Sequence, residues 1–147
     1  MAFLNSLDIS GSALTAERVR MDVISENIAN ASTTRTEEGG PYRRKMVVLE
    51  PVSKKSFQEL MQNNINSMQQ SKGGVKVARI EEDQSEFNLV YDPTNADADA
   101  QGYVRMPNVD QTKETLDMMS ATTSYNANLT AFNAVKMMAS KALEMGR

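Results

Sequence analysis

The chain of 147 residues has the length of one domain, and 40% of its residues are hydrophobic. It contains no Cys, no His and no Trp, which excludes disulfides, thiol nucleophiles, imidazole bases and the usual zinc or haem ligands. The formal charge of -3 argues against nucleic acid as a partner, because phosphate binding depends on clustered Lys and Arg. We therefore expect no catalytic site, no cofactor and no metal.

An apolar stripe with helical spacing runs through the N-terminal part of the chain. Its members, spaced largely by seven, are Leu7, Leu14, Met21, Ile24 and Ile28. This period predicts one helix over about residues 4–31. Ser10, Gly11 and Ser12 are poor helix formers, so a helix that begins near Ser12 is the alternative.

The middle of the chain alternates between short β-type runs and turns. The runs cover residues 42–49, 75–80, 87–91 and 103–106, and Gly or Pro residues bound them. These four runs predict a small sheet or an open barrel. Residues 53–72 are rich in Gln and Asn, which predicts a flexible loop with at most a short helix.

A second long helix is predicted at the C-terminal end. It follows Pro107, and Asp110 is placed to cap its first turn. Its apolar stripe contains Met118, Tyr125, Leu129, Phe132, Val135 and Met138. The stripe predicts that this helix, like the first, buries one face.

These elements predict an α+β fold that is mainly helical once assembled. The two terminal helices, in residues 1–34 and 110–147, are expected to form a coiled coil. Residues 35–109 are expected to form a small β-rich module between them. The apolar residues concentrate in the two helices while the middle is polar, so we expect an elongated molecule in two parts.

Both predicted helices carry a second apolar series on another face. The series are Ile9, Ala16 and Val23 on the first helix, and Ala131, Met138 and Met145 on the last. Two helices packed only on each other would leave one face of each exposed, and burying a large apolar side chain is worth ~1.5–3 kcal/mol. We therefore expect the helix faces to be buried against neighbouring subunits.

Three asparagines add to this candidate interface. Asn27 and Asn30 lie near the end of the first helix, and Asn128 lies deep in the last. Asn is a poor helix former, so its presence inside a helix asks for a reason. Hydrogen bonds between helices that fix their register supply one, while Asn30 has the alternative of capping the first helix.

Two charged motifs offer weaker candidates for a site. Residues 95–102, NADADAQG, superficially resemble a calcium loop, but Ala100 and Met106 stand where that loop needs Gly and Glu. A solvated acidic turn is the favoured interpretation. The basic run over residues 42–45, YRRK, could contact phosphate or a neighbouring subunit, but a charged strand edge explains it better.

Several motifs together resemble the flagellar rod and hook axial proteins. The segment ENIANASTTRTEEGGPYRRK is similar to the N-terminal signature of that family, and SYNANLTAFNAVKMMASKALEMG is similar to its C-terminal pattern. The block LVYDPTNADADAQGYVRMPNVD resembles the proximal rod members. The likeness covers essentially the whole chain, although residues 53–72 match no fixed pattern.

The resemblance implies a non-enzymatic structural subunit of the proximal rod, which polymerises through its terminal helices and transmits torque. Implied partners are further copies of itself, other proximal and distal rod subunits, the hook-basal body adaptor at the membrane ring and the type III export apparatus. It also implies a periplasmic location reached without a cleaved signal peptide, and the N-terminus indeed lacks a positively charged region and a long apolar run. The alternative is a cytoplasmic helical binding module such as a flagellar export chaperone.

Overall fold

The computed structural model describes residues 2–37, 39–52 and 73–145. Its elements are helix α1 (Ala2–Ala29), strands β1 (Lys45–Pro51), β2 (Val75–Glu82), β3 (Asn88–Tyr91) and β4 (Tyr103–Met106), and helix α2 (Gln111–Met145). Two long helices with short strands between them confirm the predicted α+β, mainly helical fold. The loop predicted over residues 53–72 lies outside the described residues, and the pairing of the helices as a coiled coil stays a prediction.

Helix α1 begins at Ala2, so the alternative start near Ser12 is wrong. The hydroxyl side chains in this region donate hydrogen bonds to backbone carbonyls of the same helix. Ser12 Oγ donates to the carbonyl of Ile9 at 2.7 Å, and Thr15 Oγ1 donates to that of Gly11 at 3.1 Å. Hydroxyls that bond back to the preceding turn leave the helical backbone intact, so these residues lower its stability without ending it.

The start of α2 agrees with the sequence. Asp110 Oδ1 accepts the backbone N–H groups of Thr112 at 2.9 Å and Lys113 at 3.3 Å, which confirms the predicted cap. Glu114 adds a carboxylate in the first turn, where the helix dipole favours negative charge. In the described part of the chain, neither helix has a stretch long and apolar enough to cross a membrane.

The strands form two separate pairs, β1 with β2 and β3 with β4, so the single sheet or barrel predicted from the sequence is wrong for the described residues. The β1–β2 pair is bounded by hydrogen bonds from Val52 N to Gly74 O at 2.9 Å and from Asp83 N to Arg44 O at 2.8 Å. Beyond that point the carbonyl of Asp83 accepts side-chain donors, Arg43 at 3.1 Å and Asn108 at 3.0 Å. Side chains therefore satisfy the carbonyl of Asp83 just after the end of β2.

The chain divides into two compact units, one of residues 1–18, 49–78 and 123–147, and one of residues 19–48 and 79–122. In the first unit, Val75 N–H donates to Ser12 Oγ at 3.1 Å and so ties the start of β2 to α1. The second unit contains most of the buried apolar core, namely Val23, Ile24, Tyr42, Val104, Val109 and Ala121. The domain boundaries expected near residues 34 and 109 stay a prediction.

Gly74 provides a test of the packing in the first unit. Its φ is +108°, and a Cβ added there would lie 2.4 Å from Ser12 Oγ, whereas Gly39, with φ +84°, has open space around it. The positive φ would strain a side chain at either position, but only at Gly74 would the added Cβ also overlap Ser12 Oγ. We expect Gly74→Ala to lower the free energy of unfolding by about 1 kcal/mol more than Gly39→Ala does. Urea unfolding measures this difference, and equal losses in the two variants would contradict it.

Candidate functional site

The most deeply buried polar side chains of the second unit lie together between the end of α1 and the start of α2. Glu114 is 0% exposed and Asn27 is 1% exposed. We call this cluster the polar junction, and its members are Asn27, Tyr42, Arg44, Asn108, Glu114 and Asp117. Such burial is unusual for these residue types, so their hydrogen bonds must account for it.

Asn27 forms every hydrogen bond that its side-chain amide can make. Its Nδ2 donates to Glu114 Oε2 at 3.0 Å and to the carbonyl of Lys45 at 2.9 Å. Its Oδ1 accepts the hydroxyl of Tyr42 at 3.0 Å and the backbone N–H of Lys45 at 2.9 Å. The amide has two donors and two lone pairs, so it is fully satisfied. The bond to Glu114 links the two helices within one chain, while a role of the asparagines in contacts between subunits stays a prediction.

Arg44 neutralises the buried carboxylate of Glu114. Its Nε donates to Glu114 Oε1 at 2.6 Å, so both carboxylate oxygens have a partner. The guanidinium also lies 3.4 Å from Asp117 Oδ2 and 4.0 Å from Asp83 Oδ2. A buried carboxylate is tolerated only when it is paired and hydrogen-bonded, so Arg44 is the residue that permits Glu114 to be there.

Asn108 holds the backbone of Arg44 in place. Its Oδ1 accepts the backbone N–H of Arg44 at 2.9 Å, while its Nδ2 donates to the carbonyl of Asp83 at 3.0 Å and to Ser85 Oγ at 2.8 Å. One side chain from the segment before α2 therefore fixes both the approach to β1 and the exit from β2. This arrangement aims the guanidinium of Arg44 at Glu114.

Tyr42 closes the junction on the side of β1. Burial is the largest cause, and the carboxylates of Glu26, Glu114 and Glu82 follow in that order; together they raise the pKa of its phenol from 10.0 to about 12. The phenol is therefore a neutral donor to Asn27 at physiological pH. Because the ring of Tyr42 is buried, the chain must turn toward the core of the second unit before β1 begins.

The run YRRK does not form the charged strand edge that the sequence suggested. Only Lys45 belongs to β1, while Tyr42 and Arg44 point into the junction. The guanidinium of Arg43 lies over the ring of Phe87, 4.3 Å from its centroid. The interpretation was wrong because a basic run in a sequence does not reveal which of its members find partners far along the chain.

The acidic turn that follows β3 uses its own backbone as a partner. Asp92 Oδ1 accepts the hydroxyl of Thr94 at 2.6 Å and its N–H at 3.1 Å, and Asp99 Oδ1 accepts the N–H groups of Gln101 at 2.8 Å and Tyr103 at 2.9 Å. These bonds lower the pKa of both carboxyls. Asp99 is exposed and Asp92 is half-buried, and both keep their negative charge at neutral pH. Over the residues described, no group of acidic side chains is arranged to hold a metal ion.

The candidate interface residues from the sequence fall into three classes of exposure. Ile24 and Asn27 are buried within the chain. Leu129 and Met138 are exposed. The others are half-buried: Leu7, Leu14, Met21, Ile28, Asn30, Met118, Tyr125, Asn128, Phe132 and Val135. Their role in contacts between subunits stays a prediction.

The second apolar series of α1 lies partly inside the chain. Ala16 and Val23 are buried, while Ile9 is exposed. The expectation that Ala16 and Val23 are left for a neighbouring subunit is therefore wrong. Asn30 and Asn128 donate their amides to carbonyls of their own helices, those of Glu26 and Ser124, at 3.0 Å each.

Sequence reasoning missed Glu114, Arg44 and Asn108 as parts of one site. Glu114 reads as an ordinary acid in a first helical turn, and its partner Arg44 lies 70 residues away. The only signal that was visible is Asn27, a poor helix former inside a helix. That signal identified one end of the junction and not its charged centre.

The ion pair of Arg44 with Glu114 predicts that replacing Arg44 destabilises the protein more than replacing its neighbour Lys45. Arg44→Met leaves a buried carboxylate without its counter-charge, so we expect it to lower the free energy of unfolding by about 3 kcal/mol. Lys45→Met removes a pair with Glu26 in which both side chains are a third or more exposed, and we expect less than about 1 kcal/mol. Chemical unfolding of both variants measures this, and similar losses would contradict the assigned role of Arg44.

The phenol of Tyr42 predicts a late titration. Between pH 10 and about 12 the unfolded chain loses this proton while the folded chain keeps it, so the free energy of unfolding falls as the pH rises through that window. Absorbance titration of the tyrosinate band should show a late component that ionises near pH 12. Tyr42→Phe should remove that late component. Four tyrosines that ionise together near pH 10 would contradict the burial of this hydroxyl.

Comparison with known proteins identifies the family. Residues 7–35 match the family described as flagella basal body rod protein, and residues 100–145 match the C-terminal family of flagellar basal body rod FlgEFG proteins. The flagellar basal-body rod protein FlgC of Bacillus subtilis (strain 168) is 52% identical over 100% of both chains. FlgC of Salmonella typhimurium is 44% identical over 100% of both chains, and that of Borreliella burgdorferi is 40% identical over 97% of both. The chain therefore belongs to the flagellar basal-body rod protein family, among its FlgC members.

Proposed function

We propose that the chain is a structural subunit of the flagellar rod that assembles with neighbouring subunits through its two terminal helices. Family membership supports the structural role, and one feature of α2 supports the mode of assembly. From Met118 to Val135 the helix has no charged residue, yet only Ala121 in this stretch is buried. A helix surface that stays in water normally carries charge, so an uncharged exposed stretch marks a surface that another helix covers.

The polar side chains of this stretch favour its burial in an assembly. Thr122 Oγ1 donates to the carbonyl of Met118 at 2.8 Å, Asn128 Nδ2 to that of Ser124 at 3.0 Å, and Thr130 Oγ1 to that of Asn126 at 2.8 Å. Each of these donors is satisfied by its own helix. A neighbouring helix can therefore cover them without leaving buried donors unpaired, which would cost about 1–3 kcal/mol each.

The apolar side chains of the same stretch supply the attraction. Met119 and Leu129 are exposed, and Tyr125, Phe132 and Val135 are half-buried. Removing such side chains from water is worth about 25 cal/mol per Å² of apolar surface, so a few of them together suffice for association. On α1, the half-buried residues Leu7, Leu14, Met21 and Ile28 offer a matching face. We propose that these two faces form the interface.

The finer features of this role are also part of the proposal. We propose that the partners are further copies of this chain, other proximal and distal rod subunits and the adaptor at the membrane ring, and that the stack transmits torque. We propose export through the flagellar type III apparatus without a cleaved signal, and a final location in the periplasm. The role needs no catalysis, and the most buried carboxylate, that of Glu114, has both oxygens committed to Asn27 and Arg44.

The alternative of a cytoplasmic export chaperone is not favoured. The matched relatives are named as flagellar basal-body rod proteins, and the match covers their whole length. A chaperone would also be expected to keep charge on exposed helix faces, since it must remain dispersed in solution. The uncharged stretch of α2 fits a subunit that is buried in a polymer.

The assembly face predicts the effect of a buried charge. We expect Phe132→Asp to block incorporation into the rod, because it places an unpaired carboxylate inside a helix interface. The polar junction lies outside this region, so the second unit should remain folded. Gln111→Asp adds the same charge to the exposed first turn of α2, where the helix dipole favours it, and serves as the matched control. Isolated basal bodies and swimming assays read out incorporation, and normal motility of Phe132→Asp would contradict this assembly face.

A further inference from the structure

The β3–β4 hairpin presents a flat outer face of large side chains. In its antiparallel register Leu89 pairs with Arg105 and Tyr91 pairs with Tyr103. Alternate residues of a strand share a face, so these four side chains lie on one side of the hairpin. Leu89 and Tyr91 are each 65% exposed, while Val104, on the opposite face, is 1% exposed. The hairpin therefore packs on the protein through Val104, whose partner Val90 is 47% exposed, and leaves the face of Leu89 and Tyr91 open.

The residue types on this outer face are those that dominate protein interfaces. Tyr and Arg are enriched among the residues that carry most of the binding energy. The rings of Tyr91 and Tyr103 are in edge contact, with centroids 5.3 Å apart. Tyr91 also lies over Gly102, where an added Cβ would come within 2.9 Å of its ring. The aromatic pair is thus held in place before any partner arrives, which lowers the entropy cost of binding.

The charge around this face is negative. Residues 86–105 carry four carboxylates, those of Glu86, Asp92, Asp97 and Asp99, against the single base Arg105; Arg35 also lies 4.0 Å from Asp97, and the acids still outnumber the bases. Asp92 and Asp99 border the outer face and keep their charge, because the hydrogen bonds in the turn lower the pKa of both. A complementary partner offers apolar side chains with positive charge among them.

The distal end of α2 has this composition. Met138 and Met145 are exposed, and with Lys141 they occupy positions i, i+7 and i+3 of one helical face. From Met118 to Met145 the helix carries two lysines, Lys136 and Lys141, and one acid, Glu144, which pairs with Lys141 at 2.8 Å, so this part of the helix keeps a net positive charge. Methionine adapts its shape to aromatic surfaces and makes favourable sulfur contacts with rings. The two surfaces match in both apolar character and charge.

We propose that the outer face of the β3–β4 hairpin binds the distal end of α2 of a second copy of this chain. The contact joins two different surfaces of the same protein, so it is heterologous, and repetition of such a contact builds an open helical array or a ring. The inference rests on the proposed function, because an array of copies is what a rod subunit forms. It adds a contact made by the β-rich part of the chain to those made by the uncharged helix stretch.

The absence of cysteine makes the contact directly testable. A strain lacking the native copy would express two alleles together, one with Leu89→Cys and one with Met138→Cys. Basal bodies are then isolated and oxidised with copper phenanthroline. We expect a disulfide-linked dimer at roughly ten times the yield of a control mixture of Leu89→Cys with Ala127→Cys, since thiols held together react at high effective concentration. Ala127 is also exposed but lies about 16 Å away along the helix.

Single alleles provide the second control. Either variant alone gives no dimer if the contact is heterologous, whereas a dimer of Leu89→Cys alone shows hairpins facing each other and overturns the proposal. Motility and the presence of both variants in the rod report on the proposed function separately. Swimming cells whose rods contain both variants but yield no dimer overturn the hairpin contact and leave the structural role intact.

A second pair of substitutions keeps the experiment decisive. Tyr91→Cys with Lys141→Cys joins the same two surfaces and is read in the same way. If neither pair enters the rod, the purified full-length variants, checked for folding by circular dichroism, are mixed and oxidised in solution. A dimer above the level of the Ala127→Cys control supports the contact there, and its absence from both folded mixtures overturns it.

Discussion

A carboxylate without access to water sits at the centre of the second unit, and its neighbours are arranged to meet its requirements. Glu114 needs a counter-charge and a donor for each oxygen, since an unpaired buried charge costs several kcal/mol. Arg44 supplies the charge and one donor, and Asn27 supplies the other. Because these three residues come from α2, from the segment before β1 and from α1, meeting the needs of one side chain fixes three elements at once.

The polar junction explains how a small apolar core suffices in this unit. Its hydrogen bonds are directional, so they set the register of the elements as well as their contact, which packing of Leu and Val alone does less strictly. Asn108 extends the same network to the end of β2 through the carbonyl of Asp83.

The sequence predicted the features that depend on residues close to one another along the chain. The extents of both helices and the cap at Asp110 follow from periodicity and local hydrogen bonding, and the structure contains them. The junction depends on a pair 70 residues apart, and nothing near Arg44 distinguishes it from Arg43, which lies over Phe87 instead. The bond from Asn108 to the carbonyl of Asp83 was equally hidden, because the two residues lie 25 positions apart. Patterns in a single sequence do not show which distant residues a short motif contacts.

The first turns of α2 carry charged residues that pair within the chain, whereas the stretch proposed for assembly carries no charge. The first turns carry Glu114 and Asp117, whose partners lie within the same chain, and these contacts hold that part of the helix independently of any neighbour. The stretch from Met118 to Val135 carries no charge, so it gains stability only when another surface covers it. The side-chain donors of Thr122, Asn128 and Thr130 bond to carbonyls of their own helix, so these three groups do not oppose such burial. If the proposed assembly face is correct, we expect such a subunit to keep one folded part before it meets its neighbours and to bury its uncharged helix face only in the polymer.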